Sequence, residues 1–115
     1  MATIEECRAA LEQFSDSLAR AEGDAAAAVA MDRSLSCRIT DLDMTFVGRL
    51  RDGRITVADV VHGPPPERAQ IRLRLTSDDL LALVGGELHF GRAWTHGRVR
   101  LEASFRDLLR LRKLL

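Results

Sequence analysis

Apolar positions along this 115-residue chain follow two periods, and the switch between them divides it into parts. Ile4, Cys7, Leu11, Phe14, Leu18 and Ala21 recur at spacings of three and four. That puts them on one stripe of a helix ending near Gly23. Thr3, with Glu6 three residues on, supplies a capping box at its start. The alanine run from Ala25 to Ala30, which Asp24 is placed to cap, reads as a short helical connector. Residues 1–31 are therefore expected to be helical.

From Leu35 the period becomes two. Leu35, Cys37 and Ile39 alternate with polar residues, and Met44, Phe46, Gly48 and Leu50 repeat the pattern. Asp52-Gly53 is a two-residue hairpin signal. Ile55, Val57 and Val61 continue beyond it, and Ile71, Leu73 and Leu75 close the series. Between them Gly63-Pro64-Pro65-Pro66 cannot join regular structure and reads as an exposed loop. Residues 35–75 thus predict four antiparallel strands, apolar on one face and polar on the other. Arg38, Arg49, Arg72, Arg74, Arg98 and Arg100 belong to the polar face, which reads as solvated and balanced by acidic residues, the alternative being a surface for an acidic partner.

Residues 76–115 return to helical spacing. Thr76 or Ser77 caps a helix whose first turn carries Asp78 and Asp79 and whose buried side is Leu80, Leu81, Leu83 and Val84. Gly85-Gly86 stops it. Residues Leu88 to Trp94 predict another short helix, and Val99 and Leu101 a fifth strand. Ser104, with Asp107 three residues on, caps a closing helix whose apolar residues include Phe105, Leu108, Leu109 and Leu111.

Composition narrows the function. Hydrophobic residues make up 46% of the chain, enough for the core of one domain. No apolar run approaches the ~18 residues of a membrane span, and residues 1–14 do not read as a signal peptide. The formal net charge of zero argues against nonspecific nucleic-acid binding. Cys7 and Cys37 lack metal-ligand spacing and read as reduced, buried thiols. His62, His89 and His96 find no third ligand at a zinc-site spacing, and no phosphate loop is present. Neither catalysis, nor a metal, nor a cofactor is expected.

The run Thr76-Ser77-Asp78-Asp79-Leu80-Leu81-Ala82-Leu83-Val84-Gly85-Gly86-Glu87-Leu88, then Ala93, then Gly97-Arg98-Val99-Arg100-Leu101 and an aliphatic closing helix, resembles the sterol carrier protein 2 family. The order helix, strand, Asp-Gly hairpin, strand, loop and strand is similar too. Residues 1–31 share only helical character with it, Ala103 stands where the family often has glycine, and the terminal Ser-Lys-Leu of peroxisomal members is missing. The resemblance implies an α+β fold, with a five-stranded, mostly antiparallel sheet and helices packed on one face. It also implies an apolar tunnel between the two layers, and non-catalytic binding or transfer of a fatty acid, fatty acyl-CoA, sterol or similar lipid.

Phe46, Leu73, Leu80, Val84, Phe90, Trp94, Phe105 and Leu109 are the candidates to line that tunnel, being large and carried on elements expected to face one another. The competing account has the same side chains filling a solid core. Arg92, Trp94 or His96 at the mouth would hold a polar head group. Residues 104–115, basic as well as apolar, are a candidate membrane-surface contact, a lid, or a segment exchanged in a homodimer. An ordinary surface helix has the same composition. The alternative function is an accessory or dimerisation module with a collapsed cavity, working with a partner enzyme. A cytoplasmic location and a bacterial source suit the composition and the ending.

Overall fold

Asp52 and Gly53 both adopt positive φ, 54° and 72°, the combination a type I′ turn requires at its two central residues. They join β2 (Met44–Arg51) to β3 (Arg54–His62), the central hairpin of the computed structural model, which describes residues 1–112. Before the hairpin come α1 (Ile4–Ala19), α2 (Gly23–Ala28) and β1 (Arg33–Ile39). After it come β4 (Ile71–Leu75), α3 (Ser77–Val84), α4 (Phe90–Thr95), β5 (Arg100–Glu102) and α5 (Phe105–Leu111). Lys113 to Leu115, the expected end of the closing helix, lie outside the described residues.

The fold is the expected α+β arrangement, a five-stranded sheet in the order β3-β2-β1-β4-β5 with helices against it. One pairing corrects the expectation of four antiparallel strands. β1 and β4 run parallel, Leu35 opposite Ile71 through Ile39 opposite Leu75. The other pairings, β1 with β2, β2 with β3 and β4 with β5, are antiparallel. Parallel geometry follows from the connection. Residues 63–70 do not fold back beside β3 but cross β2 and β1 on the face away from the helices. Thr45, on that face, donates its hydroxyl to the Gly63 carbonyl at 2.7 Å, and Gln70 and Ser34 exchange hydrogen bonds at 2.8 and 3.0 Å. The loop is therefore only partly exposed: Gly63 and Ala69 are buried.

A second correction concerns β3. Val47 faces Asp59 but Gly48 faces Val57, so Ala58 is an extra residue, a bulge. The bulge turns Val60, not Val61, toward Phe46 on the inner face. Close approach explains Gly48: a Cβ there would lie 2.1 Å from the Thr56 carbonyl oxygen.

Caps form where the sequence places them. Thr3 Oγ1 accepts from the Glu6 amide at 3.1 Å while the Glu6 carboxylate accepts from the Thr3 amide at 3.0 Å. Thr76 accepts from Asp79, and Ser104 from Asp107. α1 stops at Ala19, short of Gly23, and α2 has Glu22 rather than Asp24 at its N-cap position. On the polar sheet face Arg38 pairs with Asp43, Arg49 with Asp32 and Arg72 with Glu102, while Arg98, which precedes β5, pairs with Asp79 of α3; among the described residues Arg74 and Arg100 take part in no ion pair.

The helices cover the other face, α1 packing on α3 and β3 and α2 on α5. The core there is divided. One cluster gathers Cys7, Leu11, Ile39, Phe46, Leu80 and Val99. A second gathers Val29, Met31, Leu50, Ile71 and Leu111. Leu73 belongs to the edge of the first and Leu101 to that of the second, although they are direct cross-strand partners.

Candidate apolar ligand site

The site begins with a carboxylate that faces inward. Asp107 lies in the first turn of α5, 3% exposed, and accepts from Arg33 at 3.0 Å (Nε to Oδ2) and 3.3 Å (Nη2 to Oδ1). Arg33 is the first residue of β1. With Asp107 and Leu111 facing inward, the residues on the opposite side of α5 face out. Phe105 is 77% exposed and Leu109 43%. This corrects the expectation that Phe105 faces the interior.

Across from α5 stands α4. Its Phe90 and Trp94, one turn apart, hold their rings 6.2 Å between centroids at 47°. The helix covers Phe90–Thr95, shorter at its start than the segment from Leu88 that the sequence predicts. Between α4 and α5 lies an open groove of about 650 Å³. α4 and its flanks contribute His89, Arg92, Trp94 and His96. α5 contributes Phe105, Leu108, Leu109 and Arg112. The floor is apolar, the rim is cationic, and among the described residues no acidic side chain lines it.

Of the eight residues singled out from the sequence, the groove brings together Trp94, Phe105 and Leu109. Phe90 stands behind Trp94, half-buried at the edge of the first core cluster. Leu73 and Val84 occupy the same kind of position. Phe46 and Leu80, each 2% exposed, lie within that cluster. Leu108 and Arg112 join the groove without having been singled out as site residues. Their positions three and seven after Phe105 are the signal that could have found them. A second cleft of about 520 Å³, beside the Asp52-Gly53 turn and α2, holds none of the eight.

The ordinary nucleophiles are ill placed for chemistry. Burial, reinforced by the charges of Asp41, Glu6 and Asp78, pushes the Cys7 thiol up to about 11. Cys37 is pushed to about 12, by its own burial and then by Cys7. Both are therefore neutral at physiological pH and serve as filler. Among the described residues no group of three or more His, Cys, Asp and Glu side chains is arranged to hold a metal. Nor is any described helix long and apolar enough to cross a membrane.

With this geometry in view, similarity to known proteins is informative. The model of the SCP-2 sterol transfer family matches residues 11–115, and the chain belongs to that family. No curated protein sequence matches it significantly. Among solved structures, the stereoselective inverting sec-alkylsulfatase Pisa1 from Pseudomonas sp. is similar at 26% identity and a TM-score of 0.57. The match covers 90% of this chain but 16% of the sulfatase, so the chain spans only a fraction of that enzyme's length. A sterol carrier protein 2 crystal structure matches at 18% identity and a TM-score of 0.64, covering 91% of this chain and 86% of that one. The solution structure of palmitated SCP2L2 from Aedes aegypti matches at 14% identity and a TM-score of 0.58, covering 98% and 93%. At these identities the last two establish the fold.

Proposed function

We propose that this chain binds an apolar small molecule, such as a fatty acid, fatty acyl-CoA, sterol or comparable lipid, and carries it without chemical change. The observation that carries the proposal is the apolar, cation-rimmed groove between α4 and α5. The groove seats the ligand's apolar part against Trp94, Leu108 and Leu109. Each methylene withdrawn from water contributes about 0.8 kcal/mol, so affinity needs no elaborate polar site. The palmitated relative supports a fatty chain as a ligand for this fold.

Native mass spectrometry of the purified protein, with extraction and identification of any bound lipid, tests the proposal directly. A titration with a fluorescent fatty acid below its micellar concentration complements it. Retained lipid or saturable uptake is expected. A ligand-free protein that also takes up no fluorescent fatty acid would sink the idea.

One observation favours a second function, an accessory module that works with a partner enzyme. The 26% identical match to Pisa1 spans nearly all of this chain and a small part of that enzyme. In that case the groove seats another protein segment, and the purified chain takes up no lipid.

A further inference from the structure

We propose that the outward face of α4 and α5 docks on an anionic membrane surface, with Phe105 and Leu109 entering the interface and arginines contacting the head groups. Among the described residues only three large hydrophobic side chains are exposed, and two of them, Phe105 and Leu109, sit one turn apart on α5. Arg106 and Arg110 flank them on one side, and Arg92 and Arg112 rim the groove on the other. Among the described residues none of these four cations takes part in an ion pair. Arg33, Arg38, Arg49, Arg51, Arg54, Arg72 and Arg98 each pair with a carboxylate; among the described residues Arg8, Arg20, Arg68, Arg74 and Arg100 do not, but none of these five lines the groove. The one acid of α5, Asp107, is turned inward and held by Arg33, so the outer face of that helix carries positive charge alone. An apolar wedge among unpaired cations is the composition that an anionic bilayer surface attracts.

The rest of the molecule sets the orientation. Along α1 the exposed residues Glu5, Glu6, Glu12 and Asp16 outnumber the cation Arg8, so an anionic surface repels that helix. A second copy of the chain is a poorer occupant. A two-fold contact through this face brings Arg106 and Arg110 toward their own counterparts. A bilayer presents phosphates instead. Docking here also places the groove mouth against the lipid from which a ligand would come.

The test is co-sedimentation of the full chain with vesicles of phosphatidylcholine alone and of phosphatidylcholine mixed with phosphatidylglycerol. The protein is expected to sediment with the mixed vesicles only, less so at high salt. Arg106→Gln with Arg110→Gln should weaken this by roughly ten- to thirty-fold. Phe105→Ser with Leu109→Ser should weaken it too, and should abolish the blue shift of the sole tryptophan, Trp94, on vesicle binding. All four side chains are exposed, so thermal midpoints near wild type are expected and serve as the folding check. Equal sedimentation with both vesicle types, or wild-type sedimentation by both variants, would overturn the proposal. So would a dimer in light scattering that Phe105→Ser dissolves, because a second copy would then own the face. Arg106 and Arg110 do not line the groove, so their variant should still take up fluorescent fatty acid from solution. Loss of docking and loss of ligand binding are thereby separable.

Discussion

Arg33 and Asp107 are 74 residues apart in sequence, yet they share two hydrogen bonds that fasten the start of β1 to the last described helix. The pair is asymmetric, with the Asp107 side chain 5% exposed and that of Arg33 30%. Removing the acid leaves a half-buried guanidinium that still reaches some water. Asp107→Ala should therefore cost about 2 kcal/mol, below the 3–5 kcal/mol typical of breaking a fully buried pair. Asp107→Asn, which keeps an acceptor, should cost less. Urea denaturation checks both, and an unchanged midpoint for the alanine variant would mean that the pair does not hold α5 in place.

Gly48 tolerates no side chain. The ideal Cβ position lies 2.1 Å from the Thr56 carbonyl oxygen, a backbone atom that a rotamer change cannot move aside. Gly48→Ala should destabilise the central hairpin by about 3 kcal/mol, at the upper end of overpacking costs. Gly53→Ala strains φ instead of clashing and should cost about 1 kcal/mol. A reversed order in thermal melts would contradict this account.

Local chemistry made much of this fold legible. Thr3, Thr76 and Ser104 announce their helices within four residues, because a cap and its acceptor are sequence neighbours. Asp52-Gly53 does the same for the hairpin. The parallel pairing of β1 with β4 was not legible, since alternation shows which residues face inward but not which strand lies beside which. Nor was the bulge at Ala58, which only the partner strand reveals. The exposure of Phe105 escaped for a similar reason. Phe105, Leu108, Leu109 and Leu111 surround much of a helical wheel, and periodicity alone does not choose their buried side. Arg33 chooses it, by drawing Asp107 inward from another element. The candidate site was consequently half visible, with Trp94 and Leu109 named but Leu108 and Arg112 passed over.

The thiols predict an alkaline weakness. Cys7 and Cys37 sit near 11 and 12 in the folded chain against an ordinary value of 9.0. A raised folded value means that the native state holds these protons more tightly than the unfolded state. The contribution is fully present below pH 9 and is lost as pH rises toward 12. Each pH unit in that window can cost up to ~1.4 kcal/mol per thiol. The denaturation midpoint should therefore fall steadily above pH 9, and a thiol reagent should label neither cysteine until urea unfolds the chain. Rapid labelling of the native protein would contradict the burial.

Asp41 predicts the opposite, an acid-side effect. Desolvation raises its carboxyl, but donation from the Ser77 hydroxyl and amide outweighs that and holds it below its ordinary 3.8, with help from its own amide and the N-terminal charge. The hydroxyl donates at 2.5 Å and itself accepts from the Ala2 amide at 3.0 Å, so one serine joins the chain's start, the β1–β2 turn and α3. A lowered folded value contributes stability above 3.8 that disappears as pH falls through and beneath it. Ser77→Ala should cost about 1–2 kcal/mol at neutral pH, and the gap from wild type should narrow in acid. A gap that stays constant down to acid unfolding would remove Asp41 from the account.

Leu80 and Leu109 separate core from site. Leu80 is 2% exposed within the first core cluster, and Leu109 is 43% exposed at the groove. Leu80→Ala should lose about 2–5 kcal/mol of stability through the cavity it opens. Leu109→Ala should lose under about 1 kcal/mol, because its side chain already meets water. Their effects on a fluorescent fatty acid should run the other way. Trimming Leu109 removes up to three buried carbons from the ligand's surroundings and should weaken uptake roughly tenfold. Leu80→Ala, at temperatures where it remains folded, should bind within about threefold of wild type. If Leu80→Ala instead weakens uptake as strongly as Leu109→Ala, the ligand lies between sheet and helices and the groove is only its entrance. Equal binding by wild type and both variants would exclude the groove as the place where the chain is held.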